Sequence, residues 1–316
     1  MNAIEKRIEE LYRYNPDLTP PVDLDAFWQQ TFQEAAMRPL HGTRVLTETP
    51  FPAVDVYYVT YEGYDDTPLK GWYIVPRFMD GMGPLSCVVV FHGYTDGKGY
   101  PEAYADWALL GMAVFAVDVR GQGGETGNRM DSEYGMTKGW LTQGILDKDQ
   151  FYYKAITVDA LKALEWVAEQ PEIDPSRIAV YGDSQGGGLS LMMAALSNVP
   201  AAVVANIPNM CHMDFGILNS TSSLQEAAEF VHRSPEHLNA VLNTLSYFDM
   251  VHLAEMIEVP VMVSVGLKDT VCMPETIFAA YNRIPSEKVL NIYPFTGHSV
   301  SSYQKRQAME FLKKHL

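Results

Sequence analysis

The feature that most constrains this chain is a short turn, 182–186, with the sequence Gly-Asp-Ser-Gln-Gly. A β-branched run of strand length, 177–181, precedes the turn, and a segment rich in Leu, Met and Ala, 189–196, follows it. The pattern therefore predicts a strand-to-helix turn. Its two glycines allow the helix to pass close under the strand, which lifts the hydroxyl of Ser184 clear of the sheet. This arrangement is typical of a nucleophile elbow.

Two further residues follow predicted core strands in the order that such a serine requires. The apolar run 260–266 leads into a loop that contains Asp269, and the run 289–293 leads into a loop that contains His298. A serine is a poor nucleophile at neutral pH until an imidazole takes its proton, and the imidazole needs a carboxylate to orient it and to stabilise its cation. The order serine, acid, histidine, each after a core strand, predicts a catalytic triad at one edge of the sheet.

A second strand end supplies candidates for binding the oxyanion. The continuous apolar run 86–91 is typical of a strand that is buried on both faces, and it ends in His92-Gly93-Tyr94. We expect the backbone N–H of Tyr94, together with the N–H of Gln185, to form the oxyanion hole. For His92 we expect a structural hydrogen-bonding role, because His298 is better placed for catalysis.

A glycine-rich loop, 118–124, follows the next predicted strand. Its charged residues, Asp118 and Arg120, are candidates for chemistry. An ion pair between them that braces the loop is the expectation, because opposite charges this close in a turn commonly pair.

The remaining pattern alternates strands with helices, which predicts an α/β fold with a mostly parallel central sheet and helices on both faces. We expect one domain over residues 1–316, with an N-terminal helical extension at 1–40 and a helical insert at 206–258. Two period-two segments, 54–61 and 69–76, predict an antiparallel hairpin at one edge of the sheet.

Composition limits the partners. The formal charge of −16 disfavours nucleic acid, anionic membrane surfaces and polyanionic substrates, and it favours a small neutral substrate. The first 20 residues lack the apolar region of a secretory signal, and no run approaches the ~18 apolar residues of a membrane span, so a cytoplasmic protein is predicted. Cys87, Cys211 and Cys272 lack pair spacing and are expected to be free thiols. The histidines of the insert lack ligand spacing, so neither a metal nor another cofactor is expected.

Several separate stretches together resemble one family over nearly the whole chain. They are Phe91-His92-Gly93-Tyr94, Arg120-Gly121-Gln122-Gly123, Gly182-Asp183-Ser184-Gln185-Gly186-Gly187, Gly266-Leu267-Lys268-Asp269, Phe278-Ala279-Ala280-Tyr281-Asn282 and Gly297-His298. The sequence resembles the acetyl xylan esterase / cephalosporin C deacetylase family, carbohydrate esterase family 7, within the α/β-hydrolase superfamily. The resemblance implies cytoplasmic, hexameric serine esterases that deacetylate small acetylated xylo-oligosaccharides and cephalosporin C. By position, it implies that Ser184, Asp269 and His298 act in catalysis and that the N–H groups of Tyr94 and Gln185 bind the oxyanion.

The chain also departs from the family pattern. Asp183 stands where the family usually has glycine, and Ser299 stands where a glutamate often follows the histidine. A carboxylate at position 183 is expected to raise the pKa of His298 and to disfavour the oxyanion. Three alternatives stay open at this stage: a general short-chain carboxylesterase, an acyl hydrolase of the prolyl oligopeptidase type, and a catalytically silent α/β-hydrolase that acts as a binding or scaffold protein.

Overall fold

A computed structural model describes residues 2–316, and within them nine strands form one sheet. The strands are β1 (Thr43–Thr47), β2 (Val54–Tyr61), β3 (Leu69–Pro76), β4 (Leu85–Phe91), β5 (Ala113–Val117), β6 (Ile173–Asp183), β7 (Pro200–Asn206), β8 (Val261–Gly266) and β9 (Lys288–Tyr293). Their spatial order is β1-β2-β3-β5-β4-β6-β7-β8-β9. Six neighbouring strands are parallel to one another: β5, β4, β6, β7, β8 and β9. The predicted mostly parallel sheet is confirmed.

Eleven α-helices accompany the sheet in the described chain. They are α1 (Ala3–Tyr12), α2 (Leu24–Ala36), α3 (Ala105–Leu109), α4 (Tyr152–Ala168), α5 (Gln185–Leu196), α6 (Met213–Asn219), α7 (Ser223–Arg233), α8 (Leu238–Ser246), α9 (Met250–Leu253), α10 (Pro274–Tyr281) and α11 (Ser302–His315). One core contains side chains of α4, α5 and α10, and the other contains side chains of α3 and α11. Helices therefore cover both faces of the sheet.

The central strands are buried along their whole length, which is why they read as continuous apolar runs rather than alternating ones. Every residue of β4, β5 and β8 is buried. All six parallel strands end at the same edge of the sheet, so the loops that follow β4, β6, β8 and β9 meet there. This edge carries the predicted functional residues.

The antiparallel end of the sheet differs in part from the prediction. The hairpin of β2 and β3 forms as expected, with Tyr61 opposite Leu69 beside the turn. It is not the outermost element, however, because β1 pairs with β2 and occupies the edge. β1 is mostly exposed and has few apolar side chains to bury, so its sequence carries only a weak strand pattern.

The predicted ion pair between Asp118 and Arg120 is wrong. The Asp118 carboxylate binds Lys98 Nζ at 3.2 Å, and the Arg120 guanidinium binds Asp159 and Asp65. Each of the two charges is therefore neutralised by a different segment of the chain.

The segment between β7 and β8 carries α6 to α9 and lies against the site edge. Met250 N donates to the Met210 carbonyl at 2.7 Å, and the buried Asp249 carboxylate accepts from the N–H groups of His212 and Met213. These bonds tie the end of the insert to its beginning. In residues 2–316 no helix has both the length and the apolarity that a membrane span requires.

Candidate active site

The turn between β6 and α5 holds Ser184 in a strained conformation. Its φ is +57°, a region that side-chain-bearing residues rarely adopt. Backbone bonds fix it there: Ser184 N donates to the Asn206 carbonyl at 2.9 Å, and Asn209 N donates to the Ser184 carbonyl at 2.9 Å. A Cβ on Gly182 would lie 2.2 Å from the backbone of Gly186, which explains why this position lacks a side chain. The turn has the geometry of the predicted elbow.

The structure brings the three predicted triad side chains together. His298 Nε2 lies 3.0 Å from Ser184 Oγ, and His298 Nδ1 lies 2.8 Å from Asp269 Oδ2. The other oxygen of Asp269 accepts from the N–H groups of Val271 and Cys272 at 2.8 and 3.0 Å. Asp269 is 3% exposed, so its carboxylate is held away from water and faces the imidazole. With Nδ1 donating to Asp269, Nε2 is left to accept the serine proton.

The two predicted oxyanion donors are the residue after Ser184 and a residue of the loop after β4. Gln185 is the first residue of α5, where a backbone N–H has no partner within its own helix. Tyr94 follows β4 in the adjacent loop, and its N–H donates to no acceptor among the turn and loop bonds of the described residues. Both N–H groups are thus available to a developing oxyanion, and the end of α5 adds a favourable dipole.

Gln122 connects these two positions. Its Oε1 accepts from Thr95 N at 3.0 Å, next to Tyr94, and its Nε2 donates to Gln185 Oε1 at 2.9 Å. Its Nε2 also lies 3.0 Å from the hydroxyl of Tyr152. Thr95 has a φ of +73°, so its loop needs such support. The glutamine of the Arg-Gly-Gln-Gly motif therefore joins the loop after β4 to the elbow.

The side chain of Tyr94 is anchored to the helical insert. Its hydroxyl donates to Glu226 Oε2 on α7 at 2.7 Å and accepts from Trp140 N at 2.8 Å and Leu141 N at 3.2 Å. Burial raises the pKa of Tyr94, so the phenol stays protonated and remains a donor. Burial also raises the pKa of Glu226. Two separate segments, α7 and residues 140–141, thus hold the side chain of Tyr94.

His92 has the structural role that the sequence predicts. Its Nε2 accepts from Val119 N at 2.8 Å, and its Nδ1 donates to the Gly93 carbonyl at 2.7 Å. Burial lowers the pKa of His92, which favours the neutral ring that this pair of bonds requires. The ring joins the loop after β4 to the loop after β5.

Two other side chains lie close to the nucleophile. Cys272 Sγ is 4.0 Å from Ser184 Oγ, and burial raises the pKa of this thiol well above its ordinary value, so it remains a thiol that fills space. The Asp183 carboxylate accepts from Asn206 Nδ2 at 2.8 Å. Burial raises the pKa of Asp183, and the hydrogen bonds from Asn206 and Tyr181 oppose that rise.

A cavity of about 600 Å³ opens at Ser184 and His298. Tyr94 and Ile207 also line it. This volume lies within the range of small-molecule pockets in proteins. Within residues 2–316, His, Cys, Asp and Glu side chains form no group of three or more that is arranged to hold a metal ion.

A sequence profile of the family described as "Acetyl xylan esterase (AXE1)" matches residues 1–315 of the chain. The chain belongs to this family. The fold of the esterase agrees with that assignment: it superimposes with a TM-score of 0.94 on an acetyl xylan esterase from Paenibacillus sp. R4, which is 37% identical, with 98% of this chain and 99% of that one covered.

Two other relatives extend the comparison. The esterase superimposes with a TM-score of 0.91 on acetyl xylan esterase 1 from a Thermoanaerobacterium species, at 29% identity and with 97% of this chain and 98% of that one covered. Acetyl esterase Axe7A of Xylanibacter ruminicola is 27% identical over 312 residues, which are 95% of this chain and 70% of the relative. The predicted resemblance and the α/β-hydrolase fold are confirmed, and the esterase is a carboxylic ester hydrolase of the acetyl xylan esterase family.

The sequence did not reveal the roles of Gln122 and Glu226. Gln122 lies in a motif that marks the family, but nothing in that motif indicates which groups its amide binds. Glu226 lies in an amphipathic helix, where a glutamate usually faces solvent. Its partner Tyr94 is 132 positions away, so local pattern carries no signal for the contact.

Proposed function

We propose that the esterase hydrolyses acetyl esters of small carbohydrates, such as acetylated xylo-oligosaccharides, and the acetyl ester of cephalosporin C, through a Ser184–His298–Asp269 triad. The observation that carries the proposal is the continuous hydrogen-bond chain from Ser184 Oγ through His298 to Asp269, at the edge of a small cavity. The named relatives, two acetyl xylan esterases and an acetyl esterase, support the substrate class.

The proposed reaction has two steps. Ser184 Oγ attacks the acetyl carbonyl carbon while His298 Nε2 takes the serine proton, and the N–H groups of Tyr94 and Gln185 stabilise the oxyanion. The bond to the alcohol oxygen then breaks, and His298 returns the proton to that oxygen. Water attacks the acetyl-enzyme by the same route, which releases acetate and restores the serine hydroxyl. Asp269 stays ionised and orients the imidazole. The residues of the site complete this cycle without a metal or cofactor.

Hydrolysis rates test the proposal. We expect p-nitrophenyl acetate to be cleaved much faster than the butyrate and octanoate, and acetate to be released from acetylated xylobiose and cephalosporin C. Ser184→Ala removes the nucleophile and is expected to lower kcat on the order of 10⁶-fold. Ser176→Ala is the matched control, because Ser176 is an exposed serine at the opposite end of β6.

The alternatives predict different results. Equal rates on all three chain lengths with no acetate from the sugar would leave a general short-chain carboxylesterase, and cleavage of acyl-peptides would indicate an enzyme of the prolyl oligopeptidase type. Normal folding with no reaction of Ser184 with a serine-directed phosphonate would indicate a silent binding protein.

For assembly and location we propose a cytoplasmic homo-oligomer, a hexamer, on the strength of the family resemblance alone. Light scattering coupled to size-exclusion chromatography tests the hexamer, and a monomer mass would contradict it. Fractionation of the source cells tests the location.

A further inference from the structure

The cavity at the triad extends past the nucleophile into a region that the catalytic chemistry does not use. We call the part of the cavity that is lined by Asp183 and Tyr181 from β6, Tyr104 before α3, and Lys305 from the first turn of α11 its outer region. The acetyl group occupies little of a volume of about 600 Å³. This outer region therefore has room for the alcohol part of the ester.

The carboxylates and ammonium groups that line the cavity are those of Asp96, Asp183 and Lys305. The ammonium of Lys305 is already paired with Asp106. Asp96 is exposed and lies near Ser184, on the other side of Gly93. A Cβ built on Gly93 would be 3.7 Å from Asp96 Oδ2 and 4.0 Å from Ser184 Cβ. The carboxylates of Asp96 and Asp183 thus lie near the nucleophile, and the ammonium of Lys305 is neutralised by Asp106.

The Asp183 carboxylate is held in place by neutral groups. Asn206 Nδ2 donates to it at 2.8 Å, while Asn206 Oδ1 accepts from Gln304 Nε2 at 2.8 Å and from Ser264 Oγ at 3.1 Å. These bonds fix the Asn206 amide with its NH₂ group toward Asp183. Because amides carry no net charge, they orient the carboxylate and stabilise its ionised form without cancelling its field.

We propose that this outer region is the leaving-group subsite and that Asp183 and Asp96 make it select neutral over anionic alcohols. The proposal rests on the esterase activity proposed above and adds its specificity. Carboxylates accept hydrogen bonds from sugar hydroxyls, so an acetylated neutral sugar suits the subsite. An ester whose alcohol part carries a carboxylate, as cephalosporin C does, meets two like charges within a partly enclosed cleft.

Two esters with the same acyl group isolate the effect: phenyl acetate, which is neutral, and 4-acetoxybenzoate, which adds one carboxylate to the leaving group. We would measure kcat/KM for both at pH 8 and low ionic strength and divide each by its rate constant for hydroxide-catalysed hydrolysis. For the wild type we expect a preference of about fivefold for the neutral ester, which falls in 0.5 M salt because salt screens partly exposed charges.

The variants Asp183→Asn and Asp96→Asn are each expected to reduce this preference to about twofold, and the double variant to remove it. Asp25→Asn is the matched control, since it makes the same change in net charge at an exposed position. Asp25 belongs to α2, which packs on the other side of the sheet from α3 and α11. The ratio is taken within one preparation, so a variant that folds poorly still reports specificity.

A preference that is absent in the wild type, or unchanged in both single variants, would overturn the subsite while the esterase stands. Failure to hydrolyse either ester in a Ser184-dependent way would overturn the proposed function itself.

Discussion

The two sides of Ser184 are built in different ways. On the histidine side, the carboxylate of Asp269 is held by N–H groups two and three positions further along its own loop, and it contacts His298 on the neighbouring loop. On the side of the two proposed oxyanion donors, which we call the oxyanion side, the positions of Tyr94 and Gln185 depend on the side chains of Gln122 and Glu226, which come from distant segments.

This difference shows which parts of the site are held by bonds within one loop and which are held by contacts between distant segments. The histidine side uses short-range backbone bonds that the loop after a parallel strand forms by itself. The oxyanion side uses side chains that meet only when three loops and the helical insert have packed. We therefore expect substitutions on the histidine side to change the chemistry while the fold is kept, and substitutions on the oxyanion side to change chemistry and stability together.

Among substitutions on the two sides of Ser184, the largest effect is expected for Asp269→Asn. Asparagine keeps an oxygen for the N–H groups of Val271 and Cys272 but presents an NH₂ group to His298, which forces the wrong imidazole tautomer. We expect kcat on p-nitrophenyl acetate to fall about 10⁴-fold with the melting temperature almost unchanged. A loss smaller than 100-fold would show that the carboxylate is not needed to orient His298.

The second prediction concerns Gln122→Leu, which keeps the size of the side chain and removes its polar atoms. Thr95 N and the buried amide of Gln185 lose their partner, so we expect a loss of about 2 kcal/mol in the free energy of unfolding. Because the two oxyanion donors lose their spacing, kcat should also fall about 100-fold with little change in KM.

Urea denaturation and steady-state kinetics measure the two effects of this variant. Gln30→Leu, at an exposed position on α2, is the control and should show neither. Full activity in a destabilised Gln122→Leu protein would mean that Gln122 stabilises the fold but does not position the two N–H groups.

A smaller effect is expected for Glu226→Gln. The bond from the Tyr94 hydroxyl loses the charge of its acceptor, and charge-assisted hydrogen bonds are about twice as strong as neutral ones. We expect kcat to fall about fivefold at constant KM. Glu229→Gln on the same helix removes a partly exposed pair with Lys138 and should leave kcat unchanged. Equal effects of the two substitutions would point to net charge rather than to the anchoring of Tyr94.

The smallest effect concerns the pH dependence of stability. Burial lowers the pKa of His92 in the folded state below its ordinary value of 6.5, so the unfolded chain binds the proton more readily. The contribution of His92 to the free energy of unfolding is therefore complete above about pH 6.5 and declines as the pH falls toward the pKa of His92 in the folded state.

His92→Gln tests this, since glutamine also has one donor and one acceptor. The variant should lose less stability than the wild type between pH 7.5 and pH 5.5, as measured by urea denaturation at each pH. Parallel pH profiles would show that another group is responsible.

Comparison of prediction and structure follows the same division. The strand-to-helix turn and the buried parallel strands could be predicted because each is a short local pattern. The order of Ser184, Asp269 and His298 could be predicted because each residue follows such a strand. The convergence of the three side chains followed from the rule that parallel strands end at one edge. The position of β1 and the partners of Asp118 and Arg120 were missed because they depend on contacts between distant segments.

The amino-acid sequence by itself determined the elbow and the α/β fold, because glycine spacing and apolar periodicity are local properties of the chain. Its motifs also resemble those of the acetyl xylan esterase family, which the comparisons confirm. Only the tertiary structure decided that Gln122 bridges Thr95 and Gln185, that Glu226 anchors Tyr94, and that Asp183 and Asp96 face one cavity. The physical reason is the distance along the chain between the interacting groups. A hydrogen bond between side chains depends on a separation of about 3 Å, and for groups far apart in the chain that separation is set by the packing of the whole molecule.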